Sequence, residues 1–305
     1  MKVFIAGATG AIGRPLLKGL ALAGHATFGM VRSQSSSASV SAMGAEPVIA
    51  DALDAASVSS AVARVRPDVI INELTSLPKH YTPSDMEAAA EADTRVRMEG
   101  NRNLLAAALQ TGVRRFLVQS TGFWYAPGEG LADEREGFAF SASPGVAAGT
   151  QRYAELEAMT LTPPQLQSVA LRYGFFYGPG TWFTTDGDVG EQARHQQVPI
   201  IGDGQGVWSW VHIEDAADAT VKALDCASGA YNIVDDNPSE QRVWLTAFAR
   251  YCGAPEPPHV SEQQALQAAG ADAVYYATRL RGASNAKAKR ELGFNPRPLE
   301  WLATR

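Results

Sequence analysis

Three glycines near the start of the chain have the spacing of a loop that can hold a phosphate group. Gly7, Gly10 and Gly13 lie three residues apart, after the apolar run 2–6 and before the helical apolar pattern 14–22. A glycine loop lets the backbone approach a ligand closely, and the N–H groups and positive dipole at the start of a helix favour a pyrophosphate. In this context the motif predicts a dinucleotide site, with a turn of small packing residues as the alternative.

The end of the second predicted strand indicates which dinucleotide binds. Arg32 follows the strand 26–31, and the stretch 25–44 contains no acidic residue. An acid at this place holds the adenosine ribose in dinucleotide folds, whereas an arginine accommodates a 2′-phosphate. Arg32 therefore favours NADP, with NAD as the alternative. Asp51 ends the third strand, where it can accept the adenine amino group or cap the next helix.

Polar side chains also follow the fourth and fifth predicted strands. Ser120 and Thr121 end the strand 115–120, and their hydroxyl groups can donate a hydrogen bond to a carbonyl oxygen. Glu73 and His80 lie in the loop after the fourth strand, where either could act as a general base or simply be solvated. Ligands bind at the carboxyl ends of the strands in open α/β sheets, so all four residues are candidates for the site.

Aromatic residues are frequent in the segments predicted to line the cleft. Most of them should belong to the core, but a minority that face the cleft would favour an apolar or aromatic ligand over a sugar nucleotide. These residues are Phe123, Trp124, Phe175, Phe176, Tyr177, Trp182, Phe183, Trp208 and Trp210.

The order of the predicted elements defines the fold class. Near-continuous apolar strands alternate with helical patterns from residue 2 to residue 173, which predicts an α/β protein with a parallel, doubly wound sheet. The serine-rich stretch 34–41 is predicted to be a loop that contacts the adenosine end of the cofactor or stays mobile. A helix is predicted at 150–161, after a long irregular segment rich in glycine, proline and aromatic residues.

Composition excludes several functional classes. The chain has 305 residues, a formal net charge of −6 and 46% hydrophobic residues, so a nucleic-acid or anionic-membrane surface is not expected. The histidines and the cysteines Cys226 and Cys252 have no metal-ligand spacing, which predicts no metal site. With no predicted signal peptide or membrane span, a cytoplasmic protein is the expectation.

Six short stretches occur in an order that is typical of one superfamily. They are GATGAIG (7–13), GNRNLL (100–105), STGFWY (120–125), LRYGFFYGPG (171–180), WVHIED (210–215) and GAYNIV (229–234). Together they resemble the extended branch of the short-chain dehydrogenase/reductase superfamily, an NAD(P)-dependent epimerase/dehydratase-like group. The resemblance implies a Rossmann domain of residues 1–173 that also receives about 211–235. It further implies a smaller substrate domain of residues 174–210 and 236–305, and a possible homodimer.

The resemblance also implies a catalytic Ser or Thr and a Tyr-x-x-x-Lys pair, from which this sequence departs. Thr121 matches the hydroxyl position, but the helix that should carry the pair reads GTQRYAELE over 149–157. In one register Gly149 replaces the tyrosine and Tyr153 the lysine; in the other, Tyr153 is the tyrosine and Glu157 stands in place of lysine. We prefer the first register, because the apolar pattern after Glu157 then stays in step.

Three functional hypotheses follow. The first is an NADP-binding oxidoreductase of a small hydrophobic or aromatic carbonyl or alcohol, with Thr121 and Ser120 contacting the substrate oxygen and Tyr153 as the acid. The second is a non-redox epimerase, dehydratase or isomerase, and the third is a non-catalytic NADP-sensing protein. The predicted cofactor contacts are Gly7, Thr9, Gly10, Ile12, Gly13, Arg32, Asp51, Leu74 and Tyr173.

Overall fold

Strands and helices alternate through the first two thirds of the computed structural model, which describes residues 1–303. The strands of this range are β1 (Lys2–Ala6), β2 (Ala26–Val31), β3 (Glu46–Ile49), β4 (Val69–Asn72), β5 (Arg115–Thr121), β6 (Gln167–Tyr173), β7 (Phe175–Tyr177), β8 (Ile200–Ile201), β9 (Val207–Trp208), β10 (Trp210–His212), β11 (Gly229–Ile233), β12 (Ser239–Glu240) and β13 (His259–Val260). Its helices are α1 (Gly13–Leu22), α2 (Gln34–Ala42), α3 (Ala55–Val65), α4 (Pro83–Thr111), α5 (Pro144–Leu161), α6 (Asp188–Arg194), α7 (Ile213–Lys222), α8 (Gln241–Tyr251), α9 (Glu262–Thr278) and α10 (Ala286–Leu292).

Seven parallel strands form the central sheet, in the order β11-β6-β5-β4-β1-β2-β3. Strand order reverses between β1 and β4, where Ala6 pairs with Asn72, and this is the switch point at which open α/β sheets bind ligands. The predicted Rossmann-type, doubly wound α/β fold is therefore confirmed. It places the carboxyl ends of β1, β4, β5 and β6 along one edge.

Successive residues of each strand pack on opposite faces of the sheet, which gives two cores. Ile5 and Leu117 contact the side that carries α1 and α7, whereas Phe4 and Phe116 contact the side that carries α3, α4 and α5. These four apolar side chains have almost no exposed surface. Because both faces are covered by helices, the strands read as continuous apolar runs.

A third core is built mainly by the C-terminal part of the chain, and it is rich in aromatic rings. Trp208 and Trp210 lie in contact with Trp244, at ring-centroid distances of 4.8 Å and 4.9 Å, and Trp301 packs on Trp210. The short pairs β7–β10, β8–β13 and β9–β12 enclose this core. No helix within residues 1–303 combines the length and apolar character that a membrane span requires.

Two local expectations were wrong. The serine-rich stretch forms helix α2 rather than a loop, because Ser37 and Val40, three residues apart, share one face that is buried against Gly29 on β2. Helix α5 begins at Pro144 rather than at residue 150. Its first turn accepts a proline, and the carboxylate of Asp272 on α9 accepts hydrogen bonds from the first free N–H groups, as at Gly145.

One buried ion pair joins helix α5 to the sheet. The guanidinium of Arg172 on β6 donates to both carboxylate oxygens of Glu157, at 2.8 Å and 2.7 Å, and Ser120 Oγ donates to the same carboxylate at 2.5 Å. Both charged side chains are only 8% exposed. A buried pair with all its partners in place is much more costly to break than to keep.

We expect Glu157→Ala to lower the free energy of unfolding by about 3–5 kcal/mol, because Arg172 would stay buried without its counter-charge. Urea denaturation measures the change. The matched control is Glu155→Ala, an exposed position on the same helix, which should shift stability by no more than about 0.5 kcal/mol. A loss below about 1 kcal/mol for Glu157→Ala would show that the pair behaves like a solvated one.

Candidate active site

The glycine loop between β1 and α1 is shaped by close backbone contacts. Gly7 has a φ of +90° and its carbonyl accepts a hydrogen bond from Gly10 N at 3.0 Å. A Cβ atom at Gly7 would lie 2.4 Å from the carbonyl oxygen of Glu73, and one at Gly13 would lie 2.2 Å from that of Gly7. Only glycine fits these two positions, and the turn they form leads the chain directly into helix α1.

The start of α1 below the loop has no side-chain cap in the described chain. Ile12, at the N-cap position, is buried in the core, and no side chain within residues 1–303 caps this helix or places an acid in its first turn. Thr9 and Gly10 are exposed at the mouth of the loop. The sequence-predicted residues of this motif therefore come together as a cradle that suits a pyrophosphate.

The residues predicted to contact the adenosine half lie at neighbouring strand ends. Arg32 is exposed after β2 and makes no ion pair or hydrogen bond within the described part of the chain. Asp51 accepts a hydrogen bond from Leu53 N at 3.0 Å, while Asp54 caps α3, so the capping alternative for Asp51 was wrong. Leu74 is half-buried and packs beside Gly100 of helix α4.

Ser120 and Thr121 point to opposite faces of β5. Ser120 donates its only hydroxyl proton to Glu157, and this contact gives it a structural role in contrast to the catalytic one that we predicted. Thr121 Oγ1 is buried, and no residue of the described range forms a hydrogen bond with it. Of the two hydroxyl groups, that of Thr121 is the one without a partner in residues 1–303.

Gly149 and Tyr153 are the two positions of helix α5 that depart from the superfamily pattern. They lie beside aromatic and charged side chains. A Cβ atom at Gly149 would lie 2.4 Å from the ring of Trp124, so that ring fills the space next to the helix. Tyr153, one turn further on, packs edge-on against Trp124 with ring centroids 5.8 Å apart. The Arg97 guanidinium lies 5.4 Å from the centre of the Tyr153 ring. Burial raises the pKa of Tyr153, and the charge of Arg97 opposes this effect.

Glu73 and Tyr173 form a buried hydrogen-bonded group below the glycine loop. Tyr173 Oη donates to Glu73 Oε1 at 3.0 Å and lies 2.7 Å from Thr220 Oγ1. Burial raises the pKa of Glu73 to about 8, which makes it protonated at neutral pH and unsuited to the role of general base. The Tyr173 side chain is thus occupied within the protein.

The loop after β4 is fixed to the C-terminal part of the chain. His80, the second candidate base, lies with Nδ1 2.8 Å from Asp188 Oδ1 on helix α6. Trp182 Nε1 donates to the carbonyl of Lys79 at 2.9 Å. His80 therefore helps to attach this loop to helix α6 and is not part of the glycine cradle.

The aromatic residues predicted near the cleft divide into a buried and a half-buried group, and all but Phe176 belong to the third core or pack against it. Phe175, Tyr177, Phe183, Trp208 and Trp210 are buried. Phe123, Trp124, Phe176 and Trp182 are half-buried, and so are Tyr81, in the loop after β4, and Tyr276. Of these residues, the sequence prediction did not name Tyr276. No group of three or more His, Cys, Asp or Glu side chains in residues 1–303 could hold a metal ion.

Comparison with known proteins gives the family. The model of the NAD dependent epimerase/dehydratase family matches residues 3–234. The chain is 36% identical to 3-diazoavenalumate denitrifying reductase of a Streptomyces species, over 99% of this chain and 98% of that protein. The chain belongs to this family. It is an enzyme of the short-chain dehydrogenase/reductase superfamily, and the reductase names of its relatives support an oxidoreductase.

Other known proteins resemble the chain more distantly. The 2-alkyl-3-oxoalkanoate reductase of Stenotrophomonas maltophilia is 28% identical, over 84% of this chain and 77% of that protein. A solved dTDP-glucose 4,6-dehydratase from Streptomyces venezuelae, with NAD bound, superposes with a TM-score of 0.75 at 19% identity. That match covers 98% of this chain and 93% of the dehydratase, and it supports the fold.

We expect the stability of the protein to fall as pH rises from about 4.5 to about 8 because of Glu73. Over this window an unfolded glutamate has lost the proton that the folded protein still holds, since burial raises the pKa of Glu73 from 4.5 to about 8. Glu73→Gln should remove this part of the pH dependence, about 2–5 kcal/mol in the free energy of unfolding. Urea denaturation at several pH values measures it.

Glu91→Gln, an exposed position on helix α4, is the control and should keep the wild-type pH profile. If Glu73→Gln and wild type lose stability in parallel between these pH values, Glu73 does not hold its proton in the folded state.

Proposed function

We propose that this enzyme is an NADP-dependent reductase of an aromatic substrate. We further propose that reduction of the substrate forms no oxyanion that needs a proton. An aryl diazonium group meets this condition better than a ketone. The aromatic character is supported by half-buried rings that pack at the edge of the third core, among them Phe123, Trp124 and Tyr276. Such rings can stack on a planar substrate and interact favourably with a cationic one.

The residues present fit a bound NADP. The glycine cradle and the uncapped start of α1 suit the pyrophosphate. Arg32 is exposed without an ion-pair partner in residues 1–303, and Ser33 follows it at the start of helix α2. A guanidinium beside a helix N-terminus suits the extra phosphate that distinguishes NADP from NAD.

The observation that carries the proposal is the environment of positions 149 and 153. A ketone that accepts a hydride becomes an alkoxide and needs a proton donor of matched pKa. The ring of Trp124 fills the space beside Gly149, and burial raises the pKa of the Tyr153 phenol, which makes this phenol a weak acid. The Tyr153 phenol is therefore a poorer proton donor than an unperturbed one, which disfavours ketone reduction.

The relative at 36% identity supports the same direction, because its name describes a reductase that removes nitrogen from a diazo compound. When bound, NADPH supplies a hydride; an aryl diazonium ion that accepts it loses dinitrogen, and the products are the arene, dinitrogen and NADP⁺. No proton enters this balance. In such a reaction the chain's own groups bind and orient the ring, with Thr121 as the polar contact at the end of β5.

We expect the protein to bind NADPH more tightly than NADH and to lose this preference in Arg32→Ala. Loss of a charge-assisted contact to the 2′-phosphate should weaken NADPH binding by about tenfold to a hundredfold, with little change for NADH. Calorimetry of both cofactors on wild type and variant measures the effect. Arg66→Ala, at the far end of α3, is the control. Equal affinities for the two cofactors in the wild type would refute the NADP assignment.

The reaction is tested with an aryl diazonium salt and the matching aryl methyl ketone, both without a carboxylate. We expect NADPH consumption and release of dinitrogen with the diazonium salt, above a protein-free blank, and much slower consumption with the ketone. Tyr153→Phe should keep diazonium turnover within about threefold, since no proton is donated, whereas loss of a general acid costs about 100-fold or more. Ketone reduction that disappears in Tyr153→Phe would instead make Tyr153 the catalytic acid.

A further inference from the structure

Arg97 lies in the cleft at a position that is required neither by the packing of the fold nor by the glycine cradle. Asn101 on α4 accepts a hydrogen bond from Asn72 at the end of β4 (2.9 Å), so Asn101 marks the level of the strand ends. Glu157 on α5 marks the same level, through its hydrogen bond with Ser120 at the end of β5. Arg97 precedes Asn101 by four residues. A helical rise of about 1.5 Å per residue places it about 6 Å beyond the sheet edge, where ligands bind in this fold.

Tyr153 lies beside Arg97 on the neighbouring helix α5. It precedes Glu157 by four residues, as Arg97 precedes Asn101, and the guanidinium of Arg97 lies 5.4 Å from its ring centre. The phenol oxygen of Tyr153 has no hydrogen-bond partner in the described chain. Helices α4 and α5 therefore bring one guanidinium over the ring of a tyrosine whose hydroxyl group has no partner in the described chain.

Asp93 anchors the guanidinium of Arg97 at its Nε atom. Arg97 Nε donates to Asp93 Oδ2 at 2.7 Å, and Asp93 Oδ1 accepts the Ser76 N–H at 2.7 Å. The side chain of Arg97 is only 10% exposed. No atom of residues 1–303 accepts a hydrogen bond from its two terminal amino groups. A buried guanidinium that is anchored at Nε keeps its outer fork free for a planar anion.

We infer that Arg97 and Tyr153 form a subsite for the carboxylate of an aromatic acid. The inference rests on the proposed function, because it names the substrate class for the same cleft. The outer fork of Arg97 would donate two parallel hydrogen bonds to the carboxylate oxygens, and the Tyr153 hydroxyl would donate a third. The aromatic ring of the substrate would then lie among Trp124 and Tyr276.

The charge around Arg97 suits a monoanion. Asp93 already balances part of the Arg97 charge, and Arg152 is a further cation near Tyr153. Glu73 is also near Arg97 but adds little negative charge at neutral pH, because burial raises its pKa to about 8. A phosphate dianion or a nucleoside diphosphate would need more positive charge than this cluster supplies.

The test is calorimetric binding of trans-cinnamate and of methyl cinnamate to the full-length protein with saturating NADP⁺. We expect the wild type to prefer the acid to the ester. Arg97→Met should weaken acid binding by about tenfold to a hundredfold and leave the ester unchanged, as expected for the loss of charge-assisted hydrogen bonds. Tyr153→Phe should weaken acid binding by about two- to tenfold. Arg95→Met is the control, since Arg95 is exposed on the same helix and pairs with Glu99.

Arg97→Met leaves Asp93 without its partner, so Arg97→Lys provides a second variant that keeps the charge and loses the fork. It should bind the acid more weakly than the wild type and more tightly than Arg97→Met. Equal binding of acid and ester by the wild type would overturn the inference, and so would an Arg97→Lys protein that loses NADP⁺ affinity, because Arg97 would then serve the cofactor. Arg97-dependent cinnamate binding without diazonium turnover would refute the proposed reaction and leave the subsite standing, whereas turnover without acid preference would do the reverse.

Discussion

The buried ion pair between Glu157 and Arg172 fixes the geometry on which the site depends. Besides Glu157, Arg172 donates to Tyr125 Oη at 2.9 Å, and Tyr125 in turn donates to Asn232 on β11 at 2.6 Å. One guanidinium thus joins β6, helix α5, the segment after β5 and the last strand of the sheet. Removing either charge would leave the other buried and unpaired, so the position of α5 is set as strictly as the sheet itself.

This constraint determines what helix α5 can offer to a substrate. With Glu157 held at the end of β5, Tyr153 must lie one turn above the sheet edge and Gly149 a further turn beyond it. Trp124 has its ring against Gly149, and Asp272 from α9 caps the start of the helix. A side chain at position 149 would displace Trp124. The glycine at this position and the placement of the Trp124 ring therefore depend on each other.

Much of the fold could be predicted from the sequence, because its signals are local. The parallel strands and the glycine turn follow from apolar runs and from residues that only one backbone geometry accepts. Helix α2 could not be predicted, since its polar serines hide a single buried face formed by Ser37 and Val40. The start of α5 was misplaced for a different reason: its cap, Asp272, lies 127 residues away in sequence from Gly145.

The same distinction explains why Arg97 was missed and Ser120 misjudged. Within helix α4, Arg97 reads as one more polar residue in a stretch that contains Arg95, Glu99 and Arg102, and only the packing of α4 against α5 shows that it is buried beside Tyr153. Ser120 and Thr121 are equivalent in sequence, yet the pleat of β5 turns one toward Glu157 and leaves the other without a partner within residues 1–303. Spacing along one element identifies a cradle such as the glycine loop, whereas a site shared by two helices depends on the long-range contact that sets their register. In this protein the Glu157–Arg172 pair sets the position of α5, and a hydrogen bond from Asn101 Nδ2 to Thr160 Oγ1 joins α4 to α5. Together these contacts bring a phenol to a guanidinium where related sequences are expected to place a tyrosine and a lysine on one helix.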